Sequence, residues 1–459
     1  ALEQITVLLG RFPNSSFLYN ISGVVYKGLG QLDTSIESYK KALAINPDHP
    51  EAYYNMGVAF EDQGKLKEAI EVYKKALALD PTYVQAHFSM GNALKDQCQL
   101  EEAIQAYTKA LTLKPDYTEV LNNMGNVLRD QGKLEEAIEA YTKVLVLNPE
   151  HSDAYNNMGI ALKEMGKLEE AIEAYNKALA INPDYAAAYC NMGVLLADQG
   201  KLEEAIEAYN KALALKPDSA DVHYNMGGAF AGQGNLEEAI VSYKKALLLN
   251  SDYAEAYNNI GNVFADQGKL EEAIEAYSQA LAINPDYGDA HNGLSFALLN
   301  AGELERGLDE YEWRWKSTKY ISGKRHFSQP LWDGQKSLKN KKILLWCEQG
   351  VGDTINWASC LPLVTSQAKH CIVECQEKLV PLLSQSFPNV EVKPENRSLD
   401  TERNDFDYHL PMGSLYRSFA SEVSRKTKAE AFLFPDPVRI NFWRKRLSSM
   451  GKGPYVGIS

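Results

Sequence analysis

At 459 residues, with 45% of positions hydrophobic and 24% charged, the chain has an ordinary globular composition and room for two or three domains. It holds no run of 18 apolar residues and opens with no signal peptide, which predicts a soluble, cytoplasmic protein without a membrane span. The net charge of -14 is uneven, with 20 Lys+Arg against 14 Asp+Glu after residue 321, and the acidic stretch before it argues against a nucleic-acid partner.

Residues 1–15 have the apolar spacing of a single helix, and Ala1, Ile5, Leu8 and Pro13 repeat the spacing of Ala69, Tyr73, Ala76 and Pro81 further on. They read as the second helix of a hairpin whose first helix is cut away. From Ser16 to residue 287 the sequence then returns every 34 residues, with eight units beginning at Ser16, Pro50, Val84, Thr118, Ser152, Ala186, Ala220 and Ala254. In the second unit Tyr53, Met56, Gly57 and Phe60 share one helical face, and Leu66, Ala69, Ile70, Tyr73 and Ala76 share another. Gly64 falls in the turn between them, and Pro81 stops the second helix. Each unit is therefore a helical hairpin that must stack on its neighbours to bury its apolar faces, which predicts an α-solenoid. This grammar resembles the tetratricopeptide (TPR) repeat.

Asn55, Asn123, Asn157, Asn191, Asn225 and Asn259 occupy the sixth position of their units, interrupted by Ile21 and Ser89. An amide offers both a donor and an acceptor, the pair needed to grip a polypeptide backbone without reading its side chains. The alternative is that asparagine simply fills this position. Glu169, Glu170, Glu173 and their counterparts read as the solvated outer face of the second helices. A ninth, degenerate unit over 288–321 has Ser295 and Gly307 at its small positions and ends in Glu310-Tyr-Glu-Trp-Arg-Trp315, as a capping repeat would.

A basic, turn-rich linker follows over 322–341, with Trp332 and Asp333 as its anchors. Residues 342–434 alternate strand-like and helix-like runs: strands at Lys342 to Cys347, Cys371 to Cys375, Val390 to Lys393 and Phe406 to Leu410, with helices from Thr354 to about Val364 and from Glu377 to Gln385. That order predicts a parallel sheet with helical crossovers. Asp436 to Leu447 reads as a helix and Tyr455 to Ser459 as a strand that begins a further lobe, making 435–459 a connection to a missing part. The six cysteines form no CxxC, which predicts reduced thiols; Cys371 and Cys375 share a strand face but lack further ligands for a metal.

Within this part the loop Glu348-Gln-Gly-Val-Gly-Asp353 stands after a strand, so that Gly350 and Gly352 admit a ligand close to the backbone and Thr354 opens the next helix. Ile355 stands where the dinucleotide fingerprint has its third glycine. Asp353 is placed either to cap that helix or to take a proton from a hydroxyl. His409 ends a strand, where ligands of open α/β sheets gather, although a lone histidine is also a common structural residue.

Taken in order, Pro330-Leu-Trp-Asp-Gly334, Glu348 to Thr354, Phe406-Asp-Tyr-His409 and Pro435-Asp-Pro437 with Trp443 and Leu447 resemble bacterial TPR glycosyltransferases, whose catalytic region is related to heptosyltransferases and to O-GlcNAc transferase. The resemblance implies a Rossmann-like first lobe of a GT-B fold after the solenoid. It implies an asparagine ladder that holds a polypeptide in the concave groove. It also implies a catalytic role for Asp353 as base; His409 at its strand end is the second catalytic candidate read from the residues, and Glu348, Gly350, Gly352 and Thr354 are read as an acceptor loop. The co-substrate would be a nucleotide-sugar, bound only with the missing second lobe, and no other cofactor is expected. A non-catalytic TPR scaffold with a docking lobe is the alternative.

Overall fold

The computed structural model describes residues 2–317, 323–348, 350–397, 400, 402–420, 433 and 445. The chain divides into two compact units, residues 1–229 and 230–459.

In the first unit a helix over Leu2–Arg11 is followed by paired helices, the first of each pair 13 residues long (Pro50–Asp62, Ser152–Glu164, Ala186–Asp198) and the second 14 (Leu66–Leu79, Leu168–Ile181, Leu202–Leu215). The reason for the tight pairing is visible at the eighth position. A Cβ placed on Gly57 would stand 2.4 Å from the Tyr73 ring, and Tyr73 is wholly buried. Six of the second-helix tyrosines in this unit, from Tyr39 to Tyr209, meet a glycine in the same way. Where the sequence puts Ser35 in place of the hairpin alanine, its hydroxyl donates to the Gly23 carbonyl at 2.7 Å, so the polar atom is not orphaned. The turn glycines sit at positive φ, 72° at Gly64, and Cys98 adopts the same region at 58°.

The second unit continues the hairpins through Gly288–Asn300 and Leu304–Tyr311 and closes them with a 3-10 turn, Glu312–Lys316. Among the described residues four parallel strands follow: β1 Lys342–Trp346, β2 His370–Cys375, β3 Val390–Pro394 and β4 Tyr408–Pro411, in the order β3-β2-β1-β4. Register pairs Leu344 with Ile372 on one side and with His409 on the other. One face of the sheet (Ile343, Leu345, Cys371, Val373) packs on helices Val351–Trp357, Leu361–Thr365 and Val380–Ser386. The opposite face (Leu344, Trp346, Ile372) is covered by Trp315 and Phe327.

Several local expectations shift. The helix expected from Thr354 begins at Val351, because extended Gly350 is its N-cap and receives the Thr354 N–H at 3.1 Å; Asp353 is therefore not the cap but lies in the first turn. The helix expected at Glu377 opens as a 3-10 turn, Glu377–Leu379, and becomes α-helical only at Val380, with Pro381 in the first turn, where no N–H is needed. The last strand starts two residues late, at Tyr408, because the Asp407 carboxylate turns back to accept from the Lys342 N–H at 2.8 Å. The linker anchors are as read: Trp332 is buried and donates Nε1–H to the Lys336 carbonyl, and Asp333 accepts two backbone N–H groups. The helix read at Asp436 to Leu447, the strand at Tyr455 to Ser459 and the Pro435 motif lie outside the described residues, apart from Lys445.

Candidate functional site

The sixth-position asparagines of the first unit stand on successive first helices, half-buried, and are bonded from repeat to repeat. Asn55 Nδ2 donates to Asn20 Oδ1 at 3.1 Å, Asn157 to Asn122 at 3.2 Å and Asn191 to Asn156 at 2.9 Å. In each case the acceptor is the fifth residue of the preceding unit. Phe88 holds that place in the third unit, so Asn123 turns instead to Asn92 Oδ1, at 3.0 Å, which also accepts the Tyr107 hydroxyl at 2.7 Å. Asn225 bonds the Cys190 thiol, whose pKa is pushed up by burial. Sequence reading found the sixth-position row and missed its partners, Asn20, Asn92, Asn122 and Asn156. The doublets Asn122-Asn123 and Asn156-Asn157 were the available signal. In the second unit Asn259 Oδ1 accepts from Asn258 at 3.4 Å and from Asn262 at 3.5 Å.

One N–H of each donor amide is spent in fixing the amide plane. The remaining N–H and the carbonyl oxygen of Asn55 or Asn191 thus project from a set orientation, which removes rotamer entropy that a ligand would otherwise have to quench. Ion pairs also span adjacent repeats: Lys27 bridges to Asp62 at 3.2 Å and Lys163 to Asp198 at 2.8 Å.

In the second unit the structure separates the residues read as a site. Asp353 is exposed, in the first turn of a seven-residue helix. His409 is buried on the sheet face covered by Phe327, where its Nδ1 accepts from Trp346 Nε1 at 3.3 Å. Burial, then the nearby Arg325 guanidinium, lowers its pKa to about 4, so the imidazole is neutral at pH 7. Asp353 follows β1 into the helix on the other face, so the two are not brought together. Glu348 is buried rather than offered to a ligand: Arg314 Nη2 donates to its Oε2 at 3.0 Å and to Ser414 Oγ at 2.9 Å. Burial outweighs the attraction of Arg314 and raises the Glu348 pKa to about 7. Thr354 turns its hydroxyl back to the Gly350 carbonyl at 3.1 Å, while Gly352 is exposed with open space where a side chain would stand.

A second ionic cluster was invisible in sequence. Arg325 donates Nη1 to Glu374 at 2.8 Å and Nε to Asp400 at 2.9 Å, and Arg403 also pairs with Glu374 and grips Asp405 through two bonds. It borders an open recess of about 530 Å³ beside Lys393 and Asn396. Among the described residues no group of three or more His, Cys, Asp or Glu is arranged to hold a metal, and no helix is long and apolar enough to cross a membrane.

The TPR repeat pattern matches in eight overlapping stretches, 23–64, 60–97, 91–128, 125–166, 161–200, 195–234, 229–268 and 261–302, more than half of the chain. The chain belongs to the TPR repeat family. Its TPR array is similar to protein FlbA of Caulobacter vibrioides, 30% identical over 141 residues that make up 28% of this chain and 24% of FlbA, so the match spans about a quarter of that relative's length. Among solved structures it is similar to YrrB, described as a TPR protein with an unusual peptide-binding site (26% identity, 41% of this chain and 97% of YrrB, TM-score 0.37). It is also similar to MamA (31% identity, 38% of this chain and 94% of MamA, TM-score 0.33). A TPR array is a scaffold suited to protein binding.

Proposed function

We propose that the first-helix face of the array binds an extended polypeptide through its backbone, with the sixth-position asparagines as the gripping groups. The observation that carries this reading is the repeat-to-repeat bonding of Asn55, Asn157 and Asn191, which orients each amide; Asn157 Oδ1 also accepts from Asn156 at 3.4 Å, whereas Asn55 and Asn191 keep a carbonyl and a second N–H to offer. Asn123 and Asn225 extend the row within the first unit; in the second unit Asn259 stands at the same position of its repeat. Each backbone bond contributes about 0.5–1.5 kcal/mol net.

The test uses random decapeptides selected on the full chain. Substituting Asn157, Asn191 and Asn225 by Ala weakens binding of the selected peptides by on the order of 10- to 100-fold, with the helices still fully folded at the assay temperature. Asn122→Ala with Asn156→Ala, which unclamps the row but leaves its sixth-position residues in place, gives a smaller loss. Equal binding by the triple variant and the wild type sinks the reading.

A second reading concerns the sheet. Its parallel order β3-β2-β1-β4 is that of a Rossmann half, which favours a Rossmann-like lobe. In a longer parent protein such a lobe would serve a glycosyltransferase, with exposed Asp353 at the carboxyl end of β1 as base towards an acceptor hydroxyl and Gly350 and Gly352 leaving room for it. His409, neutral and bonded to Trp346, would support the sheet. Titration of a chain extended past Ser459 with nucleotide-sugars checks this: donor hydrolysis lost in Asp353→Asn supports it, and no binding leaves the sheet as a docking platform.

A further inference from the structure

The 34th residue of most units is a ring: His49, Tyr83, Tyr117, His151, Tyr185, Tyr253 and Tyr287. In the second and third units that ring packs on another at the fifth position, Tyr54 on Tyr83 with centroids 5.0 Å apart and Phe88 on Tyr117 at 5.3 Å. The sixth unit has neither ring. Its 34th residue is Ser219 and its fifth is Cys190, and between them a recess of about 180 Å³ opens beside Asn191, floored by Ala186, Ala187 and Ala212. That volume compares with the engineered apolar cavity of about 150 Å³ that admits benzene.

The rim carries a second observation. In the third unit Lys114, the 31st residue, holds its Nζ 4.5 Å from the centroid of the Tyr117 ring. The 31st residue of the sixth unit is Lys216, and it lines the recess where that ring is missing. A cation is therefore placed for the face of a ring that this chain does not supply. In the fifth unit the Tyr185 hydroxyl meets Asp153, whose counterpart here is Ala187, but Asn191, Ser219 and Asp221 also line the recess, so a phenol hydroxyl finds polar neighbours there and a phenyl ring finds the alanines and Val222.

We propose that this recess receives an aromatic side chain, phenyl or phenol, of the polypeptide gripped by the asparagine row, with the Lys216 ammonium over its face. The assignment rests on the backbone-binding reading and adds to it a side-chain specificity at one point, next to Asn191. Backbone capture alone is sequence-tolerant; one ring-sized recess gives it a register.

Two probes on the full chain test this. With p-cresol, the isolated phenol side chain, saturation-transfer NMR shows contact with the wild type that is lost in Ser219→Tyr and in Ser219→His, which rebuild the ring found in neighbouring units. Lys216→Ala weakens it by about two- to five-fold. With random decapeptides, the wild type enriches Phe or Tyr at one position, and Ser219→Tyr loses that enrichment. Peptide binding without aromatic enrichment, or p-cresol contact undiminished in both Ser219 variants, overturns the recess while the backbone reading stands. Loss of all peptide binding in the wild type overturns the backbone reading and the recess with it.

Discussion

Gly159→Ala is a conservative change that the packing of the fifth unit makes costly. The new Cβ would stand 2.5 Å from Tyr175 Cε1 and 2.8 Å from Cδ1, where carbon atoms ordinarily rest about 3.5–4.0 Å apart. The ring must therefore withdraw by about 1 Å, yet Tyr175 is 1% exposed and packed among Leu162, Ala171, Ala174 and Leu195, so it has nowhere to go. Overpacking of this kind costs about 1–3 kcal/mol, and the better helix propensity of alanine returns about 0.5–1 kcal/mol. The net expectation is a loss of about 1–2 kcal/mol, local to the fifth unit and its neighbours because repeats touch only those. Hydrogen exchange of amides in Ser152–Glu164 and Leu168–Ile181 reads it directly as faster exchange there. A second substitution, Tyr175→Leu, should recover part of the loss by making room. Unchanged or slower exchange in Gly159→Ala would refute the close-approach argument.

Two other changes act by different physics. Cys98 adopts φ of 58° where the neighbouring turns use glycine, so Cys98→Gly relieves a left-handed conformation costing about 1–2 kcal/mol against a glycine entropy penalty of about 0.5–1 kcal/mol; slower local exchange around Gln97 to Leu100 is expected. Glu348 binds its proton more tightly folded than unfolded, so its contribution to stability is full below about pH 4.5 and is lost as pH rises through about 7. Denaturant titrations should show Glu348→Gln flattening that fall of stability between pH 4.5 and 7, while an unaltered slope would show that the carboxyl is ionised throughout.

Much of the array was legible because its constraints recur. A glycine against a tyrosine ring, an alanine at the hairpin contact and a proline after the second helix each return at the same spacing, and a sequence shows spacing well. The parallel sheet was legible from alternation of element types, with boundaries moved by local bonds such as that of Asp407 with Lys342. What escaped was chemistry made by distant partners. Glu348 looked like part of a ligand loop and proves to be held by Arg314 and buried near Gly413 and Ser414, residues far apart in the chain. Arg325 fell in the basic, turn-rich linker and is buried between Glu374 and Asp400. Nor does spacing reveal that the asparagines clamp one another, since the fifth-position partner is present in some units and replaced by Phe88 or Cys190 in others.

The central claim is that the asparagine row recognises backbone rather than side chains. The direct measurement compares a selected decapeptide with the same sequence N-methylated at alternate residues, binding each to the wild-type chain by calorimetry. If the amides grip the backbone, methylation in one of the two alternating registers removes N–H donors and weakens binding by on the order of ten-fold or more, and the Asn157, Asn191 and Asn225 triple variant no longer distinguishes the peptides. Equal affinity of the wild type for the parent and both methylated registers would contradict the account.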